Sequence, residues 1–130
     1  MSLKAVPTDR VELRAGFWRD RYDANAERGI PRLYERLEAH GVVDNFRRLS
    51  GVRAVPRRGL WFTDSDLYKW MEAAAWVDAG ELEDVVSVVL AAQAADGYLN
   101  TNFDPDERFA HLDWSHELYC MGHFIQAAVA

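Results

Sequence analysis

The stretch TDSDLYKWMEAAAWVDAG, residues 63–80, decides the fold class of this chain. Its first four residues have the form of a capping box, in which a threonine and an acidic residue three positions later satisfy free N–H groups at a helix start. Apolar side chains then recur at helical spacing, as in Leu67, Met71 and Ala74. The pattern predicts a helix from about Asp64 to Asp78.

A second helical segment follows this one directly. Gly80 interrupts the first pattern, and from Glu81 to Ala95 apolar residues again repeat at spacings of three and four. Asp96-Gly97 then ends the run. Two antiparallel helices joined by a tight turn are therefore predicted.

The chain upstream of this hairpin is also predicted to be mostly helical. A helical pattern runs over 18–40, and Gly29-Ile30-Pro31 divides it in two, because proline is tolerated in the first turn of a helix but not in its interior. The segment Asp44–Leu49 predicts a short helix, and Gly51–Leu60 predicts a loop.

The amino-terminal residues 1–15 are predicted to form an extended leader. Val11-Glu12-Leu13-Arg14 alternates apolar and polar residues, which indicates a short strand or edge segment, and Gly16 ends it. Residues 16–130 contain no linker or internal boundary and are predicted to form one domain.

Composition limits the class of protein. With 130 residues and 49% hydrophobic content the chain is expected to fold as one soluble globular domain, and its apolar runs are too short to span a bilayer. A net charge of −6 argues against a nucleic-acid partner. The single cysteine permits no internal disulfide, and charged residues stand where a secretory signal would be apolar. The cytoplasm is therefore the expected compartment.

A cluster of arginines is the local exception to the acidic composition. Because acidic residues surround it in sequence, we interpret the cluster as a solvated loop rather than an anion site. Its members are Arg47, Arg48, Arg53, Arg57 and Arg58.

The stretch His116-Glu117-Leu118-Tyr119-Cys120-Met121-Gly122-His123 concentrates chemically reactive side chains. Ser115 is a predicted N-cap for a helix that continues to Ala130, after an irregular segment over 98–113. Helical spacing then places His116, Cys120 and His123 on one face. The helical run reaches Ala130 without a capping residue, so the sequence reads as if cut.

Paired helices with alternating short and long connections indicate a helical toroid. No repeat of fixed length is present, and an (α/α) barrel fits the pattern better than a solenoid. The predicted fold is all-α, with helical hairpins that form part of an (α/α)6 barrel.

Five motifs, in order and at matching spacing from about Gly16 to Ala130, resemble the amino-terminal part of glycoside hydrolase family 127, the β-L-arabinofuranosidases. They are GFWRDR at 16–21, DNFR at 44–47, DSDLYKWME at 64–72, DGYLNT at 96–101 and HELYCMGH at 116–123. The chain departs from the family pattern at Met121 and Gln126, which bears on packing.

The resemblance implies an (α/α)6-barrel catalytic domain followed by β-sandwich domains. It also implies retaining hydrolysis of β-L-arabinofuranosides by a cysteine thiolate that further cysteines and a glutamate hold on zinc. Those ligands and the glutamate acid/base belong to segments after Ala130. The resemblance therefore implies zinc only in a full-length enzyme, no zinc bound by this chain, and no catalytic residue within it.

Four residues are predicted to contact an arabinofuranoside. The resemblance gives His116 a sugar contact, where an imidazole can donate to a hydroxyl; the alternative is a histidine that caps the helix start. Trp114, directly before it, and Trp61 are the tryptophans placed nearest a ligand, although tryptophans on helices more often belong to the core. Asn45 is predicted at the pocket rim.

The remaining candidates have structural interpretations. His123 is expected to be a buried, hydrogen-bonded core histidine, and Glu117 to hold another element by accepting backbone or arginine donors. Cys120 is expected to be a core residue rather than a zinc ligand or nucleophile, because positions i, i+4 and i+7 of one helix rarely converge on one ion. Asp64 and Asp66 could imitate a glycosidase carboxylate pair, but helix capping is the simpler explanation.

Two function classes remain open from the sequence. The first is a carbohydrate-active enzyme of the β-L-arabinofuranosidase type, of which this is an N-terminal portion. The second is a helical binding or assembly module that another copy of the chain or a partner completes.

Overall fold

The computed structural model describes residues 3–7 and 10–130; residues 1, 2, 8 and 9 of the predicted leader lie outside them. The described residues form an all-α fold without a β-strand. Val11–Arg14 is exposed and has no regular secondary structure, and it pairs with no strand in the described part, so the predicted strand is wrong. The helices are α1 (Phe17–Ala24), α2 (Ile30–Ala39), α3 (Val42–Leu49), α4 (Asp64–Ala75), α5 (Leu82–Ala92) and α6 (Glu117–Val129).

The helical segment before α3 is not broken at Gly29-Ile30-Pro31. A π-helical turn, Asn25–Gly29, joins α1 to α2, and Pro31 lies in the first turn of α2. Because proline has no N–H to donate, the wider turn lets the chain remain helical where an α-helix would be interrupted. Gly41, with φ of 74°, then supplies the left-handed turn into α3.

The start of α4 differs from the capping box that its sequence predicts. Neither Thr63 nor another side chain caps this helix. The buried carboxylate of Asp64 instead accepts hydrogen bonds from the N–H (2.6 Å) and the hydroxyl (2.5 Å) of Thr101, while Asp66 is exposed. The capping explanation of Asp64 and Asp66 is therefore wrong, because a partner 37 positions away takes the carboxylate.

The core lies where α4 packs against α6, α2 and α5, and where α3 packs against α5. Trp70 is fully buried, and its indole N–H donates to the main-chain oxygen of Ile30 at 2.9 Å, which ties α4 to α2. Fully buried side chains from α3, α4 and α6 belong to the same core: Val43, Phe46, Leu67, Tyr68, Ala74 and Cys120. Helix α4 thus positions its neighbours, including the start of α6.

Three arginines of the cluster are held within the protein rather than solvated. Arg47 donates to Glu38 (2.6 Å) and Asp44 (2.8 Å), and Arg53 donates to Asp44 (2.7 Å). Arg48 and Arg57 donate to Thr101. The interpretation as a solvated loop is wrong for Arg47, Arg48 and Arg57, which are partly buried against acceptors of the protein, whereas Arg53 lies in an exposed loop.

No helix in the described part of the chain combines the length and apolar character needed to cross a membrane.

Candidate functional site

The candidate site lies at the start of α6. His116, rather than Ser115, is the residue before the helix, and it has left-handed backbone angles (φ 55°, ψ 20°). For a residue with a Cβ this conformation costs about 1–2 kcal/mol. Ser115 is buried, and its hydroxyl accepts from the N–H of Glu117 at 3.4 Å, so the predicted N-cap lies one position before the observed one.

Three of the four predicted contact residues come together here. Nδ1 of His116 lies 3.3 Å from the indole Nε1 of Trp61 and 2.8 Å from the main-chain oxygen of Trp114. The rings of Trp61 and Trp114 meet edge to face at a centroid distance of 6.2 Å. We call these three residues the aromatic wall; each is partly exposed and available to a ligand.

The aromatic wall continues along α6 as a row of rings. The imidazole of His116 lies 5.4 Å from the ring of Phe62 and 5.7 Å from that of Tyr119. Tyr119 in turn contacts His123 edge to face at 4.6 Å, and the ammonium group of Lys69 lies 5.0 Å from the Tyr119 ring centroid. The row extends the exposed aromatic surface beyond the residues predicted from the sequence.

His123 does not have the environment that its sequence position predicts. It is half-buried, and its Nδ1 is enclosed with no hydrogen-bond partner in the described residues. The prediction of a hydrogen-bonded core histidine is therefore wrong. The physical reason is that the ring of Tyr119, rather than a polar group, packs against it.

Cys120 points into the core instead of sharing the face of the two histidines. It is fully buried, and its thiol donates to the main-chain oxygen of Phe62 at 3.6 Å. Burial raises the pKa of Cys120 to about 12, so the thiol stays protonated at neutral pH. These observations confirm the interpretation of Cys120 as a core residue.

Glu117 fixes the loop that carries Trp114. Its buried carboxylate accepts from the main-chain N–H of Phe109 (3.0 and 3.1 Å) and from the hydroxyl of Tyr98. The main chain of Ser115 also donates to the oxygen of His111 at 2.8 Å. Glu117 accepts backbone donors as predicted, but Tyr98 and Phe109 were not foreseen, because no local pattern marks partners so far apart.

Asn45 lies apart from the aromatic wall. It is buried, and its amide donates to the oxygen of Arg58 (2.9 Å) and accepts from the N–H of the same residue (2.8 Å). No hydrogen bond or ring contact in the described residues joins it to the wall. The arrangement holds the loop before α4 against α3.

The two aspartates at the start of α4 differ in environment. Burial raises the pKa of Asp64, against the opposing effect of its hydrogen bonds to Thr101 and of nearby Arg57. Asp66 is exposed. Because Asp64 is enclosed and its oxygens are occupied by Thr101, this pair does not present two carboxylates to a ligand.

A cavity of about 770 Å³ lies between α2 and α4, away from the predicted contact residues. None of the four predicted contact residues lines this cavity. Its lining includes Arg36, Arg58, Lys69 and Trp70.

Comparison with known proteins gives concordant matches. The family model described as β-L-arabinofuranosidase, GH127 catalytic domain, matches residues 10–130. A non-reducing end β-L-arabinofuranosidase from Bifidobacterium longum is 37% identical over 108 residues, which cover 72% of this chain and 16% of that protein.

Solved structures match over nearly the whole chain. A GH127 β-L-arabinofuranosidase from Geobacillus stearothermophilus T6 superposes with a TM-score of 0.86 at 36% identity, covering 92% of this chain and 22% of the other. A second GH127 β-arabinofuranosidase gives a TM-score of 0.82 at 30% identity, covering 95% and 23%. The predicted all-α fold, part of an (α/α)6 barrel, is confirmed by this likeness. The chain spans less than a quarter of the length of these relatives.

Proposed function

Because this chain belongs to the β-L-arabinofuranosidase catalytic-domain family, glycoside hydrolase family 127, we propose that it forms one wall of a sugar pocket in an enzyme that hydrolyses β-L-arabinofuranosides. The observation that carries the proposal is the convergence of Trp61, Trp114 and His116 from two separate segments. Its relatives carry the names of arabinofuranosidases.

The aromatic wall suits a furanose chemically. A sugar presents patches of C–H groups and a ring of hydroxyls, so it needs an apolar surface beside directional polar groups. Trp61 and Trp114 supply the surface, and the imidazole of His116 supplies a hydrogen bond to a hydroxyl. Such contacts orient the sugar and contribute binding energy without taking a proton from the reacting bond.

The reacting groups are proposed to come from outside residues 1–130. In the mechanism implied by the family resemblance, a cysteine thiolate bound to zinc is the nucleophile. The residues present here do not form a site for that zinc ion. Within the described ranges no three side chains of the types His, Cys, Asp and Glu are grouped to hold a metal. Cys120 is enclosed, protonated and bound to Phe62.

The test is an assay of the longest reading frame that contains this chain. We expect it to release the phenol from an aryl β-L-arabinofuranoside and to leave the α-L anomer, the matched control, essentially intact. Hydrolysis of the α-L anomer in preference to the β-L anomer would contradict the proposed substrate. Sugar binding without turnover of either anomer would favour a binding module.

A further inference from the structure

Two contacts with incompatible proton requirements meet at one nitrogen of His116. Nδ1 lies 2.8 Å from the main-chain oxygen of Trp114, which can only accept, so this bond needs a proton on Nδ1. The same Nδ1 lies 3.3 Å from the indole N–H of Trp61, which can only donate, so that bond needs a lone pair on Nδ1. A neutral imidazole cannot satisfy both.

The two distances favour the bond to Trp114. A separation of 2.8 Å lies within the usual range for N–H···O bonds, whereas 3.3 Å is a long separation for a hydrogen bond from an N–H group. The indole of Trp61 is exposed and can donate to water instead, so losing its bond to His116 leaves no buried donor unsatisfied.

We propose that neutral His116 carries its proton on Nδ1 and presents the lone pair of Nε2 to the ligand as a hydrogen-bond acceptor. In the enzyme of the proposed function, on which this inference rests, Nε2 then accepts from a sugar hydroxyl. This is the reverse of the donor role that the sequence predicts for His116. Nε2 is available for the contact, since His116 is exposed and Nε2 has no partner in the described part of the chain.

Glu117 is the positioning residue for this arrangement. Its carboxylate holds the N–H of Phe109, where the backbone is left-handed (φ 60°), and the chain returns from there to Trp114. The carbonyl that selects the tautomer is thus carried by a loop fixed at both ends, by Glu117 and by the bond from Ser115 to His111. Glu117 acts through Trp114 and does not itself face the ligand, because it is buried.

The experiment reads the tautomer directly. Long-range ¹H–¹⁵N correlation spectra of the uniformly ¹⁵N-labelled chain, recorded in alkaline buffer where imidazoles are neutral, distinguish protonated from unprotonated ring nitrogens. We expect the His116 signals to show a protonated Nδ1 and an unprotonated, downfield-shifted Nε2. The Trp61→Phe variant should give the same pattern, because it removes the competing N–H donor and keeps an aromatic ring at this position.

A protonated Nε2 in the wild-type chain, or a change of tautomer in Trp61→Phe, would overturn the proposal. The Glu117→Gln variant tests the positioning role, since its amide keeps the size of the carboxylate but weakens the acceptor facing Phe109. We expect a second His116 population with a protonated Nε2 there; an unchanged spectrum in this variant would remove Glu117 from the role. These spectra are recorded without a sugar, so they test the tautomer of His116 independently of whether the arabinofuranosidase assay succeeds.

Discussion

The indole of Trp61 and the imidazole of His116 lie 3.3 Å apart although 55 positions separate them in sequence. The contact joins the segment before α4 to the start of α6. Trp114 contacts both residues, through its ring to Trp61 and through its main-chain oxygen to His116. Because α4 and α6 pack on each other through the core, the wall lies beside a well-packed helix pair. A surface built this way is preorganised, so little ordering free energy would be needed for a ligand to bind there.

Glu117 is expected to be a main determinant of stability near the site. Glu117→Ala leaves the N–H of Phe109 and the hydroxyl of Tyr98 without their acceptor, at a cost of about 1–3 kcal/mol for each group. Chemical denaturation measures the loss. The exposed Glu83, whose replacement by alanine should change the free energy of unfolding by less than about 0.5 kcal/mol, is the matched control. Equal stability of the two variants would contradict this role.

Acid should weaken the contact between α2 and α3. The Arg47 guanidinium lowers the pKa of Glu38, so the ionised form is favoured in the folded state. The resulting stability is present above the ordinary glutamate pKa of 4.5 and is lost as pH falls through the lower folded value. We expect Arg47→Met to flatten this acid limb of stability in melts recorded from pH 7 downward.

The exposed Arg32 of α2 provides a control for the acid experiment, since it has no ion pair in the described residues. The Arg32→Met variant should keep the wild-type pH dependence. If Arg47→Met and the wild type lost stability in parallel below pH 4.5, the ion pair would have no part in the acid response.

The thiol of Cys120 should resist alkylation in the folded chain. It is buried, bound to the oxygen of Phe62, and protonated at neutral pH because burial raises its pKa to about 12. Iodoacetamide should therefore react at a rate set by opening of the fold, and rapidly in denaturant. Mass spectrometry measures the modified fraction. Rapid labelling under native conditions would show that Cys120 is accessible.

The isolated 130-residue chain is expected to associate. A groove of about 360 Å³ between α4, α5 and α6 is lined mainly by apolar side chains, among them Val86, Leu90 and Phe124. Leu90 is 55% exposed, and apolar surface of this kind promotes association. Light scattering should show oligomers that Leu90→Glu shifts toward monomer, whereas Val52→Glu on an exposed loop should not. A monodisperse wild-type monomer would contradict this expectation.

The helices could be predicted from the sequence because their signals are local. Periodic apolar residues predicted α4 and α5. The predictions that failed depended on distant partners. The sequence around Asp64 predicts a capping residue, but in the folded chain its carboxylate binds Thr101. The segment Val11–Arg14 alternates apolar and polar residues as a strand does, but it pairs with no strand in the described residues.

The candidate site was predictable in part for the same reason. Trp114 and His116 are near neighbours in sequence, and the structure brings Trp61 to His116. The ligand contacts of all three stay a prediction. The conflict at Nδ1 of His116 could not be foreseen, because it depends on distances between a loop, a helix start and a distant indole. Asn45 was predicted at the pocket rim because it lies in one of the five motifs, but in the structure it is hydrogen-bonded to the main chain of Arg58.

The kcat/KM of His116→Ala in the longest reading frame that contains this chain, measured on an aryl β-L-arabinofuranoside, tests the account most directly. Loss of one hydrogen bond to the sugar, about 1–3 kcal/mol, should lower kcat/KM roughly ten- to a hundredfold with Tm nearly unchanged. The Val52→Glu variant, altered on an exposed loop, should retain wild-type kcat/KM. Full activity of His116→Ala, or a large fall in its Tm, would show that His116 belongs to the scaffold and would contradict the account.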